Sequence, residues 1–220
     1  MDTSTLSLES LKFLSDLAEN NNRDWFLDNK KRYQTHLKKP GQIFADQIAL
    51  HLQEMTECIY SPKIYRINRD LRFTKDKTPY HAHLHISFIP AGTMTSPPHW
   101  FFGLDPTTLS LGTGVFNFDR VSLDKFRLLS QTKWGNDLSE IIADIQAVGG
   151  SLDSPELKRT PSGYGENPDN AYLLKHKGLR AWFHTNKPDQ HLQSGLLHHC
   201  LKKFQQLLPF HRTLLEKVTL

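Results

Sequence analysis

Arg66, Arg69 and Arg72 stand three residues apart, and Lys63, Lys75 and Lys77 extend them into one basic run. The window 63–77 holds six Lys and Arg against two acids, Asp70 and Asp76, a net charge of +4 that equals the formal net charge of all 220 residues. The chain outside this window is therefore balanced. Arginine stays protonated and offers a planar fork that grips carboxylate or phosphate at two points. Like charges this dense need compensation from Asp70 and Asp76, from acids elsewhere in the fold, or from a bound anion. Thr74, Thr78 and Tyr80 add hydroxyl donors, and Pro79 fixes the turn. Cations mixed with hydroxyls suit phosphate oxygens better than a single carboxylate.

A second basic stretch runs over 157–178, with Lys158, Arg159, Lys175 and Lys177 as its cations. Its Ser162-Gly163-Tyr164-Gly165 turn can bring backbone N–H groups close to an anion, as glycines permit. Neither GxxxxGK[ST] nor GxGxxG occurs, so no phosphate-loop or dinucleotide fingerprint is present. His81, His83 and His85 alternate and would share one face of a strand, a register that can hold a metal. No CxxC or HExxH accompanies them, and neither a metal nor a cofactor is expected. GxSxG is absent, and no catalytic residue can be assigned. Asp70 and Asp76 flank cations, which favours their charged forms and makes them poor general acids. Trp25 and Tyr33, at helical spacing, are expected as core or interface aromatics.

Three helices are predicted to lead in over about 7–55. Ser7 can cap the first, with Leu8, Leu11, Leu14 and Leu17 at helical spacing. Asn22 can cap the second, which places Trp25, Phe26, Asn29 and Tyr33 near one face. Pro40 is expected to break it and to sit in the first turn of the third. Alternation then predicts strands over about 60–118: within 63–67, at 71–74 with Leu71 and Phe73 buried and Arg72 on the opposite, polar face, then 81–88, 99–104 and 108–118. Helices are expected near 123–132 and 138–148, the latter stopped by Gly149-Gly150. A strand is expected at 180–184, and a helix at 192–208 ended by Pro209.

Hydrophobic content of 38% and charged content of 23% are ordinary for a soluble domain. A chain this long can bury a core without disulfides or a structural metal. Two cysteines, Cys58 and Cys200, are too few for a disulfide framework. Acidic residues near the start and the lack of an apolar run of about 20 residues point away from a signal peptide or membrane span, and to a cytoplasmic protein.

FLSDLAENNNRDWFLDNKKRY, IYRINRDLRFTKDKTPY and LKRTPSGYGENPDNAYLLKHKG, in this order, resemble the domain-of-unknown-function family 2461, a conserved hypothetical family of bacteria and fungi. The similarity runs from about Phe13 to the C-terminal helix. It implies that Asn21, Asn22, Trp25, Phe26, Lys30 and Tyr33 form one motif. It implies the same for Arg66, Arg69, Asp70, Arg72, Phe73, Lys75, Asp76, Lys77, Pro79 and Tyr80, and for Lys158, Pro161, Gly163 and Tyr164. The family pattern usually has Lys where this chain has His81, a departure that weakens any argument from the histidine trio. The resemblance carries over no metal, cofactor or catalytic residue.

The sequence thus predicts one α+β domain over 1–220, with a largely antiparallel, curved sheet and helices packed on one face. A basic groove built from 66–80 and 157–178 is expected to bind a phosphorylated small molecule or nucleic acid. The candidate ligand-binding residues are Arg66, Arg69, Arg72, Lys75, Lys77, Tyr80, Lys158, Arg159 and Tyr164. An enzyme acting on a phosphate ester is the first alternative. A non-catalytic structural or interaction protein whose Arg/Lys cluster is an internal salt-bridge network is the second.

Overall fold

The leucine spacing near the N-terminus produces α1 (Leu8–Glu19), whose buried side includes Phe13, Leu14 and Leu17. Asn22 caps α2 (Arg23–Asp28) by accepting the backbone N–H of Trp25 at 2.9 Å. After Asn29, α3 (Lys30–Arg32) passes through a π-helical stretch (Tyr33–Lys38) into α4 (Lys39–Thr56). The expected break at Pro40 does not occur. Pro40 lies in the first turn of α4, where its missing N–H costs little, and the chain continues through wider π turns instead of stopping. The structure, a computed structural model, describes residues 5–92, 95–164 and 170–218.

Six strands form an antiparallel sheet that is not closed. They are β1 (Tyr60–Ile64), β2 (Leu84–Pro90), β3 (His99–Leu104), β4 (Thr108–Val115), β5 (Ser151–Leu152) and β6 (Leu179–Asn186), in the order β1-β2-β3-β4-β6-β5. Helices α5 (Arg120–Ser130) and α6 (Lys133–Ala147) separate β4 from β5, and α7 (Asp189–Ser194) and α8 (Leu196–Lys217) follow β6. The fold is thus α+β, as the blocks of helix and strand signals predict. None of the described helices is long and apolar enough to cross a membrane.

Contacts divide the chain into two compact units: Met1–Phe88 with Phe101–Leu111 and His184–Lys202, and Ile89–Trp100 with Gly112–Phe183 and Lys203–Leu220. In the first unit, Phe102 of β3 packs on Phe44 of α4 with ring centroids 4.9 Å apart. A Cβ at Gly41 would lie 3.2 Å from the Leu84 side chain, so α4 approaches β2 closely. The opposite pleat face of this unit carries polar side chains alongside Phe101. There the His85 ring covers Gly103, and Ser110 Oγ lies 2.9 Å from His184 Nδ1. In the second unit, Trp100 stacks on His211 at 4.2 Å and meets Phe204 edge-on at 5.2 Å. His211 Nδ1 lies 2.6 Å from Thr113 Oγ1. Burial holds the His211 imidazole down to about 3.

Two further sequence expectations fail for physical reasons. Helix α8 does not end at Pro209 but runs through it to Lys217. Proline removes one helical hydrogen bond, yet Phe210, His211 and Leu214 beyond it are fully buried and hold the segment helical. The expected strand at 71–74 is a turn. Leu71 is only partly buried and Phe73 is 93% exposed, so the two do not share a core face. Asp70 and Asp76 capture the backbone N–H groups of Arg72 and Thr78 at 3.1 and 3.0 Å. Such local side-chain bonds compete with a strand ladder and win here. Cys58 and Cys200 are both free.

Candidate functional site

The 66–80 segment is a loop closed at its base. Asn68 and Tyr80 form an antiparallel bridge, flanked by Arg69 N–H to Pro79 O at 3.0 Å and His81 N–H to Ile67 O at 2.7 Å. The helical lead-in holds this base. The Asn21 side-chain amide donates to Tyr80 O at 2.8 Å, and its oxygen accepts Tyr80 N–H at 3.0 Å. Asn21 thus supplies both backbone bonds that a neighbouring strand would give. The Tyr80 ring stacks on Phe26 at 4.1 Å, and Phe26 meets Tyr33 at 5.4 Å. Tyr80 is buried in this aromatic stack.

Within the loop the predicted cations divide. Arg72 grips Asp70 in two places, Nε to Oδ1 at 3.0 Å and Nη2 to Oδ2 at 2.6 Å. Arg69, with only 20% of its side chain exposed, donates through Nη1 to Asp76 Oδ2 at 2.5 Å and to the Thr78 hydroxyl. Lys77 Nζ donates to Leu71 O at 3.0 Å. The Thr78 backbone N–H, the Arg69 guanidinium and the Thr78 hydroxyl hold the Asp76 carboxyl down to about 2. The Arg72 guanidinium lowers that of Asp70. Arg66 and Lys75 make no hydrogen bond or ion pair among the described residues. The Arg66 charge nonetheless reaches Asp70 and His81, acting weakly on both.

Arg66 lies between two concavities of the first unit. The larger, about 800 Å³, is lined by Phe26, Lys30, Tyr33, Gln34, Lys38, Lys39, Gln42, Ile64, Tyr65, Arg66, Ile67 and Asn68. Its four cations come from α3, the end of the π stretch, the start of α4 and the strand exit after β1. No carboxylate lines it among the described residues, and Lys30, Lys38 and Lys39 have no ion pair there. Burial raises the Tyr33 hydroxyl, which stays protonated as a donor at neutral pH. The size is that of an ordinary small-ligand site. Cations, amides and a phenol without an acid are the chemistry of anion capture.

The smaller concavity, about 410 Å³, is lined by Tyr65, Arg66, Asn68, Asp70, His81, His83 and His85. The histidine rings stack at 4.7 Å (His81 on His83) and 3.7 Å (His83 on His85). Burial, then the charges of His85 and His81, bring His83 down to about 4, and burial lowers His81 and His85 as well. These imidazoles are therefore neutral near pH 7. Among the described residues no cluster of His, Cys, Asp or Glu could hold a metal ion.

Of the other predicted residues, Lys158, Arg159 and Tyr164 belong to the second unit. Lys158 and Arg159 are exposed, without an ion pair among the described residues, and the Arg127 guanidinium sits 5.7 Å over the Tyr164 ring. Gly163 adopts φ +88°, which explains glycine in this turn, whereas Gly165 lies outside the described residues. Sequence reasoning missed Lys38 and Lys39 and gave Lys30 no ligand role. The signal was present, since Lys30, Gln34, Lys38 and Gln42 recur every four residues along one helical run.

An open antiparallel sheet with a helical lead-in and a braced basic loop makes this an α+β protein. The family model described as "Conserved hypothetical protein (DUF2461)" matches residues 9–212, and the chain belongs to that family. A comparison with curated proteins finds no match.

Proposed function

We propose that this protein binds a phosphorylated or otherwise polyanionic ligand in the larger concavity of its first unit. The observation that carries this reading is the convergence of Lys30, Lys38, Lys39 and Arg66 on one hollow that no described carboxylate lines. Without an anion these charges face only one another and solvent. With one, each gains a charge-assisted bond that costs no internal ion pair. Arg69, Arg72 and Lys77 act differently, shaping the loop through internal partners. The salt-bridge alternative thus describes part of the cluster, and Arg66 stands outside it. A phosphate-ester enzyme would need a base from the adjoining histidines, which burial keeps weakly basic.

The test is equilibrium binding of linear polyphosphate to the full chain over a range of salt. Affinity is expected to fall steeply as salt rises, since each neutralised phosphate releases counterions. Arg66→Gln is expected to weaken binding by roughly tenfold, the scale of one lost charge-assisted contact. Absence of binding at low salt would remove the proposal. Release of phosphate from the probe would restore the enzyme reading.

A further inference from the structure

Phe73 is the most exposed large apolar side chain among the described residues, at 93%, and it sits in the turn of the basic loop. The loop around it is braced. Asp70 holds Arg72, Asp76 holds Arg69 and Thr78, and Lys77 reaches across to Leu71 O. The ring is therefore presented by a fixed support rather than by a loose tip. The Arg72 guanidinium lies 5.6 Å from the centre of the Phe73 ring. A second aromatic repeats the pairing: Tyr65, 49% exposed, has Lys63 Nζ 5.2 Å from its ring centre. Tyr65, Arg66 and Asn68 line both concavities, and Asp70 from the loop lines the smaller one.

Two exposed aromatic rings, each beside a cation, one lining the basic hollow (Tyr65) and one on the loop that follows it in the chain (Phe73), match one ligand chemistry. Single-stranded nucleic acid offers phosphates to the cations and unpaired bases to the rings. Inorganic or sugar phosphates offer nothing for Phe73. A lipid surface fits less well, because one ring flanked by Arg72, Lys75 and Lys77 gives little apolar area to insert. We infer that the polyanion is single-stranded nucleic acid and that Phe73 stacks on one of its bases. This rests on the anion reading of the concavity and goes beyond it in naming the ligand class.

The experiment compares full-length wild type, Phe73→Ala, Phe73→Trp and Arg66→Gln on four probes. The probes are a homopolymeric single strand of about a dozen nucleotides, its duplex, linear polyphosphate of similar charge, and phosphatidylserine vesicles. Wild type is expected to bind the single strand more tightly than the other three. Phe73→Ala should lose about tenfold on the single strand, within the range of one base–aromatic stack, and nothing on polyphosphate. Phe73→Trp should keep the affinity, and its fluorescence should be quenched by the bases. Arg66→Gln should lose affinity for single strand and polyphosphate alike. If Phe73→Ala binds the strand as wild type does while Arg66→Gln weakens both anions, stacking is refuted and the anion site survives. If no polyanion binds wild type, both readings fall. A preference for duplex, or vesicle binding that depends on Phe73 without strand binding, would also overturn the inference.

Discussion

Two sets of cations, neighbours in sequence or structure, do opposite work. In the loop, Arg69 and Arg72 each have an aspartate within two to seven residues and close rings of bonds with it. Around the larger concavity, Lys30, Lys38, Lys39 and Arg66 have no such partner among the described residues. A charge with a local acid is consumed in building shape. A charge without one remains available to a ligand. Density of positive charge along the chain therefore marks the scaffold as readily as the site, and the acid nearest in space decides which.

Removing two open charges together should change the protein most. Lys30→Gln with Lys38→Gln is expected to lower polyanion affinity by more than about tenfold and to flatten the salt dependence by about 0.7 log units per lost contact on a single strand. The melting temperature should hold or rise, because mutual repulsion is relieved. A drop in melting temperature would show these lysines to be structural. Arg69→Met should do the reverse. Amide exchange at position 69 and at His81, whose N–H groups close the loop base, is expected to speed up by about tenfold as the loop opens locally.

Acid titration sharpens the same contrast. The His83 imidazole is lowered from 6.5 to about 4, chiefly by burial, so the unfolded chain takes up its proton first. Its contribution to stability is present above pH 6.5 and is lost as pH falls toward 4. Asp76 is lowered from 3.8 to about 2, so its contribution is present above 3.8 and is lost only as pH falls through about 2. NMR titration should therefore show the histidine face charging while the Asp76–Arg69 brace still holds. A His83 midpoint near 6.5 would refute the buried, neutral stack. The smallest effect is expected for Arg72→Met. Its side chain is 76% exposed beside an exposed aspartate, and the melting temperature should stay within about 2 °C of wild type.

Elements whose signal is periodic were legible in the sequence. The leucines of α1, the Asn22 cap, β3 and the Gly149-Gly150 stop of α6 all lie where pattern places them. What misled was local pattern overruled by neighbours. Leu71 and Phe73 alternate like a strand, but Asp70 takes the Arg72 backbone N–H that a ladder needs. Pro209 carries a stop signal, but the buried residues after it outweigh one lost bond. The candidate site was half legible. Arg66 stood out by charge, whereas the lysines beside it belong to a helix some thirty residues upstream, and only the tertiary fold joins them.

The π stretch at Tyr33–Lys38 makes this arrangement a matter of counting. Each of its hydrogen-bonded rings takes in one more residue than an α turn does. Each residue of an α-helix turns the chain by about 100°. Deleting one uncharged residue there would restore α geometry, leave every charge in the chain, and swing Lys30 by about that angle relative to Lys38 and Lys39. Charge composition and helix content would look unaltered while the lysines no longer converged. The basic hollow is therefore encoded in chain length as much as in residue type, and a single-codon deletion that spares every lysine would undo the convergence.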